Sequence, residues 1–339
     1  MMFIQVLGID LGKSCFHIVG RDAAGNTQFK KKLSRTKLCE FIANHPKCIV
    51  AFEACGGAHW LARKCSEFGH KPKAIPPQFV KAYLKGNKND FNDAEAIAEA
   101  ATRPDMHFVP IKSENAQVIA AIHRFRSGYI KERTACMSRI GAMLLEFGMS
   151  LPQGHATMKR LFQWLAKQSE PLHPMLVQEL QHLHEHYQTL NERIAEQDKK
   201  LKQLLDESKL GQLLRTIPGV GDMTASACLA AVSSPSEFKN GRHMAAWLGL
   251  VPKQYSTGGK PKLLGISKRG NTHLRTLFIH GARAVLSRAD TTGTAFGHWL
   301  VKLKAEKPFN VAAVALANKM ARIAWAVMQR GTPFEATTA

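Results

Sequence analysis

Four carboxylates and two neighbouring hydroxyls are the residues of this chain best placed to do chemistry. Asp10 and Glu53 each close a short apolar run of strand character, Phe3-Ile-Gln-Val-Leu-Gly-Ile-Asp10 and Lys47-Cys-Ile-Val-Ala-Phe-Glu53. A side chain at the end of such a strand projects from the sheet edge into a cleft, where ligands of open sheets commonly bind. Asp90 and Asp93 stand three apart in Asn87-Lys-Asn-Asp-Phe-Asn-Asp-Ala-Glu-Ala96, so they share one face of a helix beginning there. Two strand-end acids and a helical pair form the hard oxygen donor set that collects Mg²⁺ or Mn²⁺. Two such ions roughly 4 Å apart would bind the attacking and leaving oxygens of a phosphodiester reaction. A simpler account also exists for the helical pair: acids suit the first turn of any helix, and Asp90 would make a good N-cap.

The hydroxyls lie in Gly249-Leu-Val-Pro-Lys-Gln-Tyr-Ser-Thr-Gly-Gly-Lys-Pro-Lys-Leu-Leu-Gly-Ile-Ser-Lys-Arg-Gly-Asn271, where Ser256 and Thr257 precede two glycines. A hydroxyl attacks phosphorus only when a base, a metal or positive surroundings stabilise the developing charge, so from the residues alone Ser256 reads first as a phosphate contact. No acid occurs between Glu237 and Asp290, whereas Lys253, Lys260, Lys262, Lys268, Arg269 and Arg275 all fall there. One-signed charge interspersed with glycine and hydroxyls suits a phosphate backbone in a groove. Upstream, Ile217-Pro-Gly-Val-Gly221 reads as the turn of a helix-hairpin-helix, in which Gly219 and Gly221 leave amides free for phosphate. A plain turn between two helices fits the same residues.

The bulk properties agree with a polyanionic partner. Lys and Arg number 47 against 26 Asp and Glu, a formal net charge of +21 over 339 residues, far beyond what solubility requires. With 45% hydrophobic and 22% charged residues the chain can bury real cores, and its length calls for more than one domain. No stretch reads as a membrane span and the N-terminus lacks a secretory pattern, so the expected location is the cytoplasm, on nucleic acid. Seven scattered cysteines without a CxxC pair indicate reduced thiols rather than disulfides or a zinc ribbon.

The elements that must position these residues follow from the hydrophobic pattern. Apolar runs at 3–10 and 15–19 suggest a hairpin; a third strand at 27–33, a helix at 37–44, a strand at 47–53, a helix at 59–68 and a strand near 73–75 complete a mixed sheet flanked by helices. Residues 113–147 read as one long amphipathic helix carrying Val118, Ile122, Phe125, Tyr129, Cys136, Ile140, Met143 and Phe147 on its apolar face. Leu176, Leu180, Leu183, Tyr187, Leu190, Ile194, Leu201 and Leu204 keep a heptad broken only at Gln197, which predicts a coiled-coil arm for dimerisation rather than a helix packed on its own domain. The remainder, from about 210, is mostly helical. The expected division is 1–112, 113–209 and 210–339.

Gly8-Ile-Asp10 before a hairpin, Phe52-Glu53-Ala54 with Gly56, and Lys88-Asn-Asp-Phe-Asn-Asp93-Ala94 together resemble the DEDD motif of transposases of the insertion-sequence-110 family, including its insertion-sequence-1111-like members and the Piv and MooV DNA invertases. The resemblance runs through nearly the whole chain. It implies a RuvC or ribonuclease-H-like catalytic domain holding Mg²⁺ (or Mn²⁺) through Asp10, Glu53, Asp90 and Asp93, the coiled-coil arm, and a mainly helical C-terminal domain. It implies an enzyme that cleaves and rejoins DNA at insertion-sequence ends and target, guided by a structured bridge RNA, as a dimer or as a tetramer on DNA. The RuvC-like domain of one protomer would meet the serine-bearing domain of another. A Ser after the Leu-Val-Pro element is the family's nucleophile, forming a covalent serine–DNA intermediate; the position before the first glycine is commonly Ser and here is Thr257. Either hydroxyl could attack, with Ser256 preferred because a primary alcohol is less hindered. Two other functions fit parts of the pattern: a Holliday-junction resolvase or nuclease using the acids and water, and a non-catalytic nucleic-acid-binding scaffold.

Overall fold

The computed structural model describes residues 3–87, 89–288 and 294–336; Lys88 of the acidic motif and Asp290, which closes the acid-free stretch, lie outside them. The chain divides into two compact units, Met1–Ser113 and Glu114–Ala339.

The first unit is built on strands β1 (Val6–Leu11), β2 (Cys15–Arg21), β3 (Thr27–Ser34), β4 (Ile49–Glu53) and β5 (Lys71–Ile75). They form one mixed sheet in the order β3-β2-β1-β4-β5. β1 pairs antiparallel with β2, as the expected hairpin requires, and parallel with β4, which makes the sheet mixed. Helices α1 (Arg35–Asn44) and α2 (Ala58–Glu67) cover one face, on which Leu7, Ile9, Phe16, Val50 and Phe52 are buried. A short α3 (Pro77–Val80) leads towards α4 (Asp90–Ala101), which belongs to the opposite face with Val6, Ala51 and Ile75.

Small residues let α4 lie directly on the central strand. A Cβ built on Gly8 would meet the carbonyl oxygen of Ala94 at 2.2 Å and the Cβ of Ala98 at 2.7 Å. Since side chains alternate across a strand, Val6, Gly8 and Asp10 share the α4 face. Gly8 therefore sets how near the first turn of α4 comes to Asp10. Gly8→Ala should cost about 2–3 kcal/mol, because the atom it meets is rigid backbone; urea unfolding should show a lower midpoint at unchanged slope.

The second unit begins with α5 (Glu114–Glu146), followed by α6 (His155–Lys159), α7 (Leu161–Leu165) and α8 (Pro174–Asp206). α5 and α8 run antiparallel: Arg126 pairs with Asp198, Arg133 Nη1 donates to Asn191 Oδ1 at 2.9 Å, and Cys136 Sγ lies 3.2 Å from the Leu183 carbonyl. The heptad seam expected to dimerise is thus filled from within the chain: Leu180, Tyr187, Leu190, Ile194 and Leu201 are buried. The stripe on α5 also differs from expectation. Of that stripe Cys136 and Ile140 are buried as expected, but Val118, Phe125, Met143 and Phe147 are exposed, and Ala116, Ile119 and His123 are buried towards the N-terminal end instead. A helix of 3.6 residues per turn drifts away from a strict seven-residue repeat, so over 33 residues one spacing does not mark one buried face.

Helices α9 (Lys209–Arg215), α10 (Asp222–Ala231), α11 (Gly241–Trp247), α12 (Thr272–Ser287), α13 (Ala295–Glu306) and α14 (Phe309–Arg330) complete the unit around a core including Leu214, Leu248, Phe278, Leu316 and Met320. Between α11 and α12 the antiparallel strands β6 (Pro252–Gln254) and β7 (Leu263–Ile266) form a small ribbon. α14 is long and apolar enough to cross a membrane by composition, which the sequence reading did not anticipate; half of that window is buried within the fold, as in a core helix.

Candidate active site

The sheet register brings the acids together. β1 and β4 are adjacent and parallel with Ile9 opposite Phe52, so Asp10 and Glu53 leave neighbouring strand ends at the same level. Both are half-buried. Asp90 and Asp93 occupy the first turn of α4, on the face Gly8 allows to approach. The N-cap is Asn89, whose side chain accepts from the Phe91 amide at 2.9 Å. Asp90 is therefore not the cap that the spacing suggested. The Asn89 side chain one residue earlier satisfies the orphan amide, which leaves the Asp90 carboxylate available to His17.

The electrostatics are those of anions crowded without sufficient countercharge. Burial, then Asp93 and Asp90, push the Asp10 carboxyl above its usual range, opposed by His17 and by a backbone hydrogen bond from Leu11. Burial, then Asp10 and Asp93, push Glu53 up. A divalent cation among them would reverse this penalty, and carboxylate oxygens are its preferred donors, so the residues present fit such an ion.

His17 belongs to the same cluster and was not foreseen. It pairs directly with Asp10 across β1 and β2, which places both side chains on one face. It is 8% exposed, its Nδ1 lies 3.4 Å from Asp90 Oδ2, and Phe91 packs edge-on against its ring at 4.8 Å. Ligand atoms of Asp10, His17 and Asp90 all lie within 4.8 Å of one another. Folding residues 10–17 into a hairpin would have revealed the pairing, but a single histidine in an apolar strand gives no signal by itself.

These shifts give a stability prediction for the metal-free protein. Asp10 and Glu53 have folded values raised above the unfolded 3.8 and 4.5. Their protonation favours the folded state, fully below those unfolded values and progressively less as pH rises through the raised ones. With chelator present, melting temperature should therefore fall from pH 4.5 towards pH 7 more steeply for the native chain than for Asp10→Asn. Parallel curves would contradict the crowding.

The hydroxyl pair sits in the second unit, at the tip of the β6–β7 ribbon. Gly258 and Gly259 take φ of 57° and 75°, and Thr257 bridges to Lys260. Consecutive left-handed residues suit the two-residue turn that glycine permits. Ser256 Oγ accepts from Gln254 Nε2 at 3.0 Å and from the Lys262 amide at 3.2 Å. Thr257 is exposed, and its hydroxyl has no hydrogen-bond partner among the described residues. Ser256 therefore braces the ribbon, while Thr257 presents the free hydroxyl. The preference for Ser256 considered steric hindrance alone, which says nothing of hydrogen bonds the oxygen already accepts.

Of the expected phosphate contacts, Lys253, Lys260, Lys262, Lys268 and Arg269 are exposed on the ribbon and the loop after it. Lys268 adopts φ 54°, a strained conformation for a lysine. Arg275 is a correction: it is 7% exposed and donates to the carbonyls of Leu248 and Arg269 and to Thr272 Oγ1. A guanidinium with five donors serves here to hold the basic loop in place. Gly219 is a second correction. Its φ is +82°, and a Cβ there would meet the Gly281 carbonyl at 2.8 Å, so this glycine packs the turn on α12. Gly221 has open space at its Cα and N-caps α10.

Comparison with known proteins places these features in a lineage. Residues 7–149 match the DEDD transposase family of IS110, and residues 211–298 match the family described as Transposase IS116/IS110/IS902. The transposase of insertion sequence IS1328 from Yersinia enterocolitica is 45% identical over 98% of both chains. That of IS1111A from Coxiella burnetii is 38% identical over 97% of this chain and 91% of its own. A pilin gene-inverting protein of Moraxella bovis is 23% identical over 82% of this chain and 80% of its own. The acids, the ribbon and the matches to both family regions lead to one assignment: this chain belongs to the IS110/IS116/IS902 family of DEDD transposases.

Proposed function

We propose that the chain cleaves and rejoins DNA at insertion-sequence ends and target, using Asp10, Glu53, Asp90 and Asp93 to hold Mg²⁺ or Mn²⁺ and a hydroxyl of the Ser256–Thr257 pair to take the strand. The observation that carries this is the gathering of carboxylates from β1, β4 and α4: Asp93 and Asp90 destabilise Asp10, Asp10 and Asp93 destabilise Glu53, and ligand atoms of Asp10 and Asp90 meet with those of His17. A bound divalent ion supplies Lewis-acid stabilisation of charge on the phosphate oxygens. Asp10 and Glu53 fix that position from rigid strands, His17 steadies Asp90, and the glycine contact holds α4 at the required distance. Thr257 attacks the phosphodiester, loses its proton and releases a 3′-hydroxyl. The protein–DNA ester conserves the bond for religation.

Lys253, Lys260, Lys262, Lys268 and Arg269 would hold the backbone of the attacked strand, the Gly221 turn would contact phosphate in helix-hairpin-helix fashion, and assembly as a dimer or tetramer would bring acidic and hydroxyl sites of different protomers together. Sequence choice would rest on a bridge RNA through base pairing. A transposase acting on bacterial DNA would do so in the cytoplasm. Incubation with insertion-sequence end DNA and Mg²⁺, followed by denaturing electrophoresis, should give a protein–DNA adduct. Free cleaved ends without adduct would instead indicate a nuclease that uses water, and no reaction would indicate a binding scaffold.

A further inference from the structure

The second unit holds a cavity of about 630 Å³ along α14, lined also from α11 and α13. Its lining includes Arg242, Lys319, Arg322 and Arg330 with Trp299 and Trp325, and among the described residues no carboxylate. The volume falls within the roughly 300–1,000 Å³ of small-ligand pockets.

The sequence builds this cavity by register. Ala315, Lys319, Arg322, Ala326 and Arg330 recur at three- and four-residue steps, so one stripe of α14 alternates cations with alanines that leave room. The opposite stripe, including Leu316, Met320 and Val327, is buried in the core and fixes the rotation of the helix. Gly241 lets α11 touch α14 at the base: a Cβ there would lie 2.9 Å from the Arg322 carbonyl. Trp325 Nε1 is anchored on the Pro235 carbonyl at 3.0 Å, which holds that indole as a wall.

The charges are uncompensated. Among the described residues none of the four cations forms an ion pair. Lys319 Nζ sits 4.3 Å from the Trp299 ring centroid, and burial together with Arg322 pushes its ammonium pKa down. Like charges gathered around indoles cost stability unless an anion joins them. Cations for phosphate and aromatic faces for a base are what single-stranded nucleic-acid sites combine.

We propose that this cavity binds one unpaired nucleotide of a nucleic-acid strand, with the base against the indole wall and its phosphate among Arg242, Arg322 and Arg330. The site shares no lining residue with the acids or the ribbon and requires no strand cleavage. It rests on the proposed function only in choosing a nucleic acid as the polymer.

The test uses the full chain with EDTA, so binding is read without cleavage and stands or falls separately from catalysis. Twelve-residue dT and rU oligomers are titrated by intrinsic fluorescence and by anisotropy of a labelled strand. Quenching by either oligomer that is diminished in Trp299→Phe supports the site, and the tighter oligomer identifies the strand as DNA or RNA. Trp299→Ala should weaken binding roughly tenfold or more. Arg322→Ala should weaken it and lower the salt slope by about 1; Arg242→Ala, at an exposed position, repeats that test. Wild-type affinity and salt slope in all three alanine variants, with unchanged melting, would overturn the proposal.

Discussion

Asp10→Asn and Glu53→Gln should each reduce DNA strand cleavage by on the order of a thousandfold in single-turnover assays with saturating Mg²⁺, an effect of the size seen when one preorganised charge-stabilising group is lost. Both changes keep volume and remove one negative oxygen, so the sheet ends keep their shape while metal affinity falls. Asp93→Asn should join them, because Asp93 acts on both strand-end acids. The metal-free variants should melt no lower than the native chain, since each relieves like-charge crowding. This sign separates loss of chemistry from loss of fold. Cleavage retained within tenfold in Asp10→Asn would remove the acids from the mechanism.

Thr257→Ala should abolish the protein–DNA adduct, again by on the order of a thousandfold or more, as expected for a group on which covalent catalysis depends. Thr257→Ser should keep it, since the hydroxyl survives at the same turn position. Ser256→Ala should lower the yield without eliminating the adduct: it removes the acceptor of the Gln254 and Lys262 hydrogen bonds and loosens the ribbon below its tip. An adduct lost in Ser256→Ala and kept in Thr257→Ala would reverse the roles. DNA binding at low salt should be near normal in all three, because the surrounding lysines are untouched.

Much of the first unit was legible in the sequence because strand-end acids and a three-residue spacing are local signals. Asp10 and Glu53 followed from apolar runs, and Asp90 with Asp93 from helical geometry. His17 was not legible: its membership depends on the register of a hairpin, and the pairing has no trace in spacing. Arg275 and Gly219 failed for a related reason. A basic residue in a basic stretch, or a glycine in a glycine-rich turn, reads as a ligand contact until packing shows carbonyls closing around the one and α12 pressed on the other. The heptad of α8 signalled a partner helix correctly in kind, but sequence periodicity does not say whether that partner lies in the same chain.

The ribbon that carries Thr257 has a further consequence. Every residue of β6 is exposed, and β7 buries only part of Ile266. A two-stranded hairpin without a core beneath it is at best marginally stable in water, so its tip gains fixed aim only when something else clamps its strands. Tyr255, Leu263 and Leu264 wait exposed along it, apolar surface unused in the isolated chain. On the proposed function, the hydroxyl at this tip would therefore act as a safety catch, held steady for attack on DNA only once assembly supplies the grip.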